Sequence, residues 1–151
     1  MHNADDNRHV RDFIDRCRAS GIRVTPQRVA VFRELAATDQ HPSAKTIYRR
    51  VREEMPAISL DTVYRTLSTL EAEGLVANVS TTDNAARYDA RTEAHYHFVC
   101  RHCNRVIDVT AEDAAAFEPP DNAENYGRVE SVNILLRGCC TPCLRKDGEQ
   151  R

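Results

Sequence analysis

Two Cys-x-x-Cys pairs, Cys100 with Cys103 and Cys140 with Cys143, constrain this chain more than any other feature. Soft thiolates at that spacing form a four-sulfur set suited to a structural Zn²⁺ in closed tetrahedral coordination. Such a site ties two distant stretches of chain to one point. A redox-active pair, an iron–sulfur cluster and inert thiols are the alternatives. The polar N-terminal residues lack a signal peptide's apolar core, so a reducing, cytoplasmic setting is expected, in which paired cysteines read as metal ligands rather than disulfides. Cys139 would stretch the second pair to three intervening residues and is expected not to be a ligand. Cys17 falls on an apolar helical stripe and reads as a small buried hydrophobe.

The 151 residues suffice for one ordinary domain or two small ones, and each of two halves would need a metal or a partner to be stable. No apolar run approaches the ~20 residues of a membrane span. Net charge is −2 and unevenly spread. Between Arg8 and Arg52 there are eleven Lys and Arg against four Asp and Glu, a local +7. That asymmetry points to a polyanion-binding N-terminal half, or to solvated helix surfaces.

Apolar spacing predicts a helix over 8–20, with Val10, Phe13, Ile14 and Cys17 inward and Gly21 as its stop. Thr25-Pro26 starts a second helix through Val29, Phe32 and Leu35. Ser43 caps a third, carrying Ala44, Ile47, Tyr48 and Val51, and Pro56 ends it. Ser59 caps a fourth, with Leu60, Val63, Leu67 and Leu70 inward and Asp61, Thr62, Arg65, Thr66 and Thr69 outward. Strands at 75–79 and 86–89 flank a turn at 82–84. Helices followed by a hairpin make a winged helix-turn-helix. Its DNA contacts are expected from Thr62, Tyr64, Arg65 and Thr66, with Arg23 and Arg28 in the basic segment. Further on, strands are expected at 96–99 and 106–109, a short acidic helix at 111–117, and a strand at 129–136. A polar end follows at 144–151, frayed or a last helical turn.

The stretch from Asp89 to Asp108 holds a second ligand set. His95 and His97 share one face of a strand. If the Cys-x-x-Cys turn folds 96–99 onto 106–109 with paired positions summing to 203, His95 lies opposite Asp108 on that face. Nitrogen and hard oxygen ligands suit Fe²⁺, Mn²⁺ or Zn²⁺. Asp89 and the distant His41 could complete a five-ligand shell, although spacing alone does not place His41.

At these residues the chain resembles the ferric-uptake-regulator family of metal-dependent repressors. The resemblance rests on Thr25-Pro-Gln-Arg28, His41-Pro42-x-Ala44, Asp61-Thr-Val-Tyr-Arg-Thr-Leu67, His95-Tyr-His97-Phe98-x-Cys100-x-x-Cys103 and Gly138-x-Cys140-x-x-Cys143. It implies an α+β chain: a winged helix-turn-helix DNA-binding domain (residues 1–84), then a small α/β dimerisation and metal-binding domain (85–151). It also implies a structural zinc on Cys100, Cys103, Cys140 and Cys143, and a regulatory Fe²⁺ or Mn²⁺ held by His41, Asp89, His95, His97 and Asp108. Asp at both carboxylate positions resembles the peroxide-sensing branch, in which Fe²⁺ mediates oxidation of a ligand histidine. Arg65 after Tyr64 instead resembles the iron-uptake members. The expected protein is therefore a homodimeric repressor of double-stranded operator DNA and not an enzyme. The rival readings are an iron- or zinc-responsive uptake repressor, a zinc hydrolase, and a zinc-ribbon module that binds protein.

Overall fold

Three serine or threonine caps set the helices of the N-terminal half. The computed structural model describes residues 4–80, 85–93, 95–110, 119–129 and 132–149. Helix α1 spans Ala4–Ala19, α2 Pro26–Ala36, α3 Ala44–Glu54 and α4 Leu60–Ala72. Thr25, Ser43 and Ser59 each accept the backbone N–H three residues on, at 3.3, 3.3 and 3.1 Å. Each bond satisfies an amide that a helix start otherwise orphans. After α1, Gly21 takes φ +72°, a left-handed conformation that costs a residue without a Cβ little. The Ile22 and Gly21 amides then close onto the carbonyls of Cys17 and Arg18, a Schellman stop.

The chain divides into two compact units, Met1–Thr92 and Glu93–Arg151. In the first, Phe13 and Phe32 stack with centroids 4.0 Å apart, and Val31, Leu35, Ile47, Val63, Leu67 and Leu70 pack around them. Cys17 is fully buried in this core, and burial pushes its thiol pKa up. Strands β1 (Ala77–Ser80) and β2 (Ala86–Asp89) pair antiparallel, with Ala77 opposite Asp89. Hairpin and helices together give the winged helix-turn-helix. The division at 92/93 leaves β2 and Asp89 with the first unit.

The second unit holds β3 (Tyr96–Cys100), β4 (Val106–Val109), β5 (Leu135–Gly138) and helix α5 (Thr141–Glu149). The sheet order is β4-β3-β5, with β3 antiparallel to β4 and parallel to β5. The last strand thus begins at Leu135, not at 129, and Val129 and Val132 stand 44% and 42% exposed before it. It approaches β3 closely at its end: a Cβ on Gly138 would lie 3.1 Å from the Phe98 ring. A side chain there would push β5 away from β3. The polar end is a nine-residue helix rather than frayed chain. The turn expected at 82–84 and the helix expected at 111–117 lie outside the described residues. No helix among the described residues is long and apolar enough to cross a membrane.

Candidate metal centres and nucleic-acid face

The four-sulfur site is built by a turn and a helix start. After β3 the chain reverses through a tight loop closed by Cys100 N–H to the Arg105 carbonyl (3.0 Å) and Asn104 N–H to the Cys100 carbonyl (3.0 Å), with Asn104 at φ +56°. Across the sheet, the Cys140 carbonyl accepts the Leu144 N–H (3.0 Å), so Cys140 opens α5 and Cys143 lies in its first turn. All four sulfurs fall within 4.8 Å of one another; Cys100 and Cys143 are 3.9 Å apart, Cys103 and Cys140 3.7 Å. A tetrahedron with Zn–S bonds near 2.3 Å has sulfur–sulfur edges of about 3.8 Å, so the set fits the ion. A disulfide at ~2.05 Å does not match these distances. Cys139 stands apart from this set, its thiol directed to the Cys140 carbonyl at 3.8 Å.

The thiols are unequal before any cation enters. Backbone N–H groups, first that of Cys140 and then that of Cys103, pull the Cys100 pKa down to about 5 against its burial. Cys143 is pushed up, first by its hydrogen bond to Cys140 and then by burial. A cluster of four thiols without a cation shares its protons, and a divalent ion is what allows all four to ionise together.

The second ligand set forms two groups, one in each unit. In the first unit, His41 is 2% exposed and sits at φ +50°, a sparsely populated conformation for a residue bearing a Cβ. The next carbonyl, that of Pro42, accepts the Tyr88 N–H at 3.1 Å, which lays His41 against the end of β2. There His41 Nε2 is 3.3 Å from Asp89 Oδ2. Asp89 Oδ1 accepts the Arg91 N–H at 2.8 Å, so one oxygen orients the carboxylate and the other faces the imidazole.

In the second unit, His97 stands directly opposite Asp108 and His95 lies two residues earlier on the same face. Paired positions sum to 205, not the expected 203. The ladder closes between Cys100 and Arg105, because Cys103 sits within the turn instead of across from Cys100. A shift of two preserves the face, so both histidines still meet Asp108: His95 Nε2 is 3.4 Å and His97 Nε2 3.6 Å from its Oδ1. The two Nε2 atoms are 2.9 Å apart. His95 Nδ1 lies 2.7 Å from the Glu93 carbonyl, which can only accept. A proton on Nδ1 satisfies that carbonyl and leaves Nε2, which faces Asp108 and His97, as the ligand atom. Ligands about 2.1 Å from one ion are roughly 3.0 Å apart at a right angle and ~3.4 Å at a tetrahedral angle. Both separations occur here, so this donor set also fits a divalent cation.

On α4, Tyr64 is 42% exposed. Arg65 lies outward, its Nε 2.9 Å from Asp61 Oδ2. Thr62 Oγ1 is 2.9 Å from the cap hydroxyl of Ser59. Thr66 corrects the expected face: it is 6% exposed, because it lies three residues from Val63 and four from Leu70 and so shares their stripe. Arg23 is exposed, and its carbonyl accepts from the half-buried Arg28 guanidinium at the start of α2. Two features escaped the sequence reading. The Asp61–Arg65 pair was signalled by its i,i+4 spacing. The Glu93 carbonyl that orients His95 had no signal, since a backbone acceptor has no residue type.

A sequence profile of the ferric uptake regulator family matches residues 19–135. The peroxide-responsive repressor PerR of Staphylococcus aureus is 35% identical over 137 residues, spanning 91% of this chain and 93% of that protein. The peroxide stress regulator of Campylobacter jejuni superimposes with a TM-score of 0.67 at 30% identity, over 78% of this chain and 89% of that one. The ferric uptake regulator Fur of Helicobacter pylori shares the fold, with a TM-score of 0.72 at 24% identity over 89% and 93% of the two chains.

Proposed function

The chain belongs to the ferric uptake regulator family, and from that premise we propose that it represses transcription as a homodimer on double-stranded operator DNA and releases that DNA on exposure to peroxide. It is a metal-dependent transcriptional regulator and not an enzyme. In the proposed arrangement Cys100, Cys103, Cys140 and Cys143 hold a structural Zn²⁺. His41 and Asp89 from the first unit, with His95, His97 and Asp108 from the second, share one regulatory Fe²⁺ or Mn²⁺. Ligands drawn from both units would couple metal occupancy to the spacing of two α4 helices in a dimer. Half-sites on one DNA face recur about every 34 Å, so that spacing controls affinity. A coupling of ~1–3 kcal/mol changes DNA affinity about 5–150-fold.

The observation that carries peroxide sensing is the pair of aspartates, Asp89 and Asp108, each beside an imidazole. Bound Fe²⁺ would supply the reduction of hydrogen peroxide and an oxidant within the site. His41 and His95 are the proposed targets, and loss of either imidazole removes a ligand. The similarity to peroxide-responsive repressors supports this reading. The second reading is an iron- or zinc-responsive uptake repressor that ignores peroxide; Arg65 after Tyr64 resembles the iron-uptake members and bears on the operator sequence more than on the sensing chemistry.

Binding to duplexes selected from a randomised pool separates the two, measured with Fe²⁺, Mn²⁺ and Zn²⁺, each before and after hydrogen peroxide. Peroxide sensing predicts loss of binding with Fe²⁺ and survival with Mn²⁺. Equal loss with both metals, or no loss with Fe²⁺, would refute it.

A further inference from the structure

The outer face of α4 carries a carboxylate where a polyanion is expected to lie. Asp61 and Arg65 form an i,i+4 pair at 2.9 Å, with side chains 70% and 81% exposed. A pair so exposed adds little to stability. An acid on a DNA-facing helix also opposes phosphate binding, which is set by net neutralisation of phosphates. Its geometry offers a different role. The contact is made through Arg65 Nε, so the carboxylate occupies one edge of the guanidinium. The two terminal nitrogens remain as the fork that fits guanine O6 and N7 in the major groove.

We infer that Asp61 is a positioning residue for sequence recognition: it holds Arg65 by Nε, so that the arginine reads a guanine edge instead of straying to a phosphate. This rests on the DNA-binding reading above. An unrestrained arginine has many rotamers and can satisfy its charge on any backbone phosphate, without regard to sequence. A tethered one presents a single fork. Asp61 therefore lowers overall affinity while raising discrimination. Tyr64, the preceding residue on the helix, is 42% exposed. Asp61 is also an acid in the first turn of α4, where it complements the helix dipole. That purely structural role predicts a lower melting temperature with no change in sequence preference.

The test is selection from a pool of duplexes with a randomised core, using the full-length Mn²⁺-loaded protein, followed by sequencing of the bound fraction. The wild type is expected to select a guanine at one position per half-site. Arg65→Ala should erase that preference, by about 5- to 150-fold for a bidentate contact. Asp61→Asn, of the same size, should weaken it by about fivefold, the low end of that range, while affinity for unselected duplex rises. Asp61→Glu should restore part of it. Thermal melting of each variant reports the helix separately. The inference is overturned if Asp61→Asn selects the same sequences as strongly as wild type, or loses only melting temperature. A wild-type protein that selects no sequence with any metal refutes the DNA-binding reading itself, and this inference with it.

Discussion

Asp89→Asn separates the structural task of one carboxylate from its proposed task as a ligand. In the native site Oδ1 accepts the Arg91 N–H at 2.8 Å and Oδ2 lies 3.3 Å from His41 Nε2. Asparagine keeps one oxygen for Arg91 and turns its NH₂ to His41, which can accept through Nε2 when Nδ1 carries the proton. The turn after β2 therefore survives, and the fold loses little. The variant cannot offer an anionic oxygen to a cation. Asp89→Ala removes both contacts and should cost about 0.5–1.5 kcal/mol for each lost hydrogen bond, roughly 4–8 °C per kcal/mol in a unit of this size. For metal the expectation reverses: both variants should lose affinity, by more than the about 10–100-fold typical of disturbing an outer-shell partner. The assay is a Mn²⁺ titration of DNA binding by fluorescence anisotropy, paired with thermal melting of the metal-free protein. Asp89→Asn should melt near wild type and fail to gain DNA affinity at Mn²⁺ concentrations that saturate the wild type. A Mn²⁺ midpoint unchanged in Asp89→Asn would refute the assignment of Asp89 as a ligand.

Other substitutions test neighbouring parts of the structure. Cys103→Ser should lose bound zinc and the dimer together, whereas Cys139→Ser should keep a full zinc content; zinc assay with size-exclusion chromatography decides, and zinc loss in Cys139→Ser would bring that thiol into the site. Gly138→Ala forces a Cβ to 3.1 Å from the Phe98 ring and should destabilise the second unit by about 1–3 kcal/mol, read by chemical denaturation. An unchanged midpoint there would mean that the ring moves aside freely. Thr66→Val should leave DNA affinity intact, since Thr66 is buried; a marked loss would return it to the DNA-facing side of α4.

Much of this protein could be read from its residues because the controlling interactions are local. Thr25, Ser43 and Ser59 cap helices through amides only three residues away, so spacing suffices to place them. The Cys-x-x-Cys pairs announce a four-sulfur site because few other structures use that pattern in duplicate. The acidic and imidazole residues near β3 and β4 share a face because strand alternation has a period of two, and even a register error of two residues leaves that face unchanged.

What needed the tertiary structure was whatever depends on two segments meeting. The register of β3 on β4 follows from how the turn seats Cys103, and no local rule encodes that. The close approach of Phe98 to Gly138 at the end of β5 joins residues forty positions apart. Thr66 was assigned outward by its polarity and is turned inward by its angle on the helix, because burial follows position on the stripe rather than residue type. His41 next to Asp89 depends on the Pro42 carbonyl reaching Tyr88 across the first unit. Residue types and their periodicities determined which chemistry this chain carries; packing between distant segments decided which of those side chains meet.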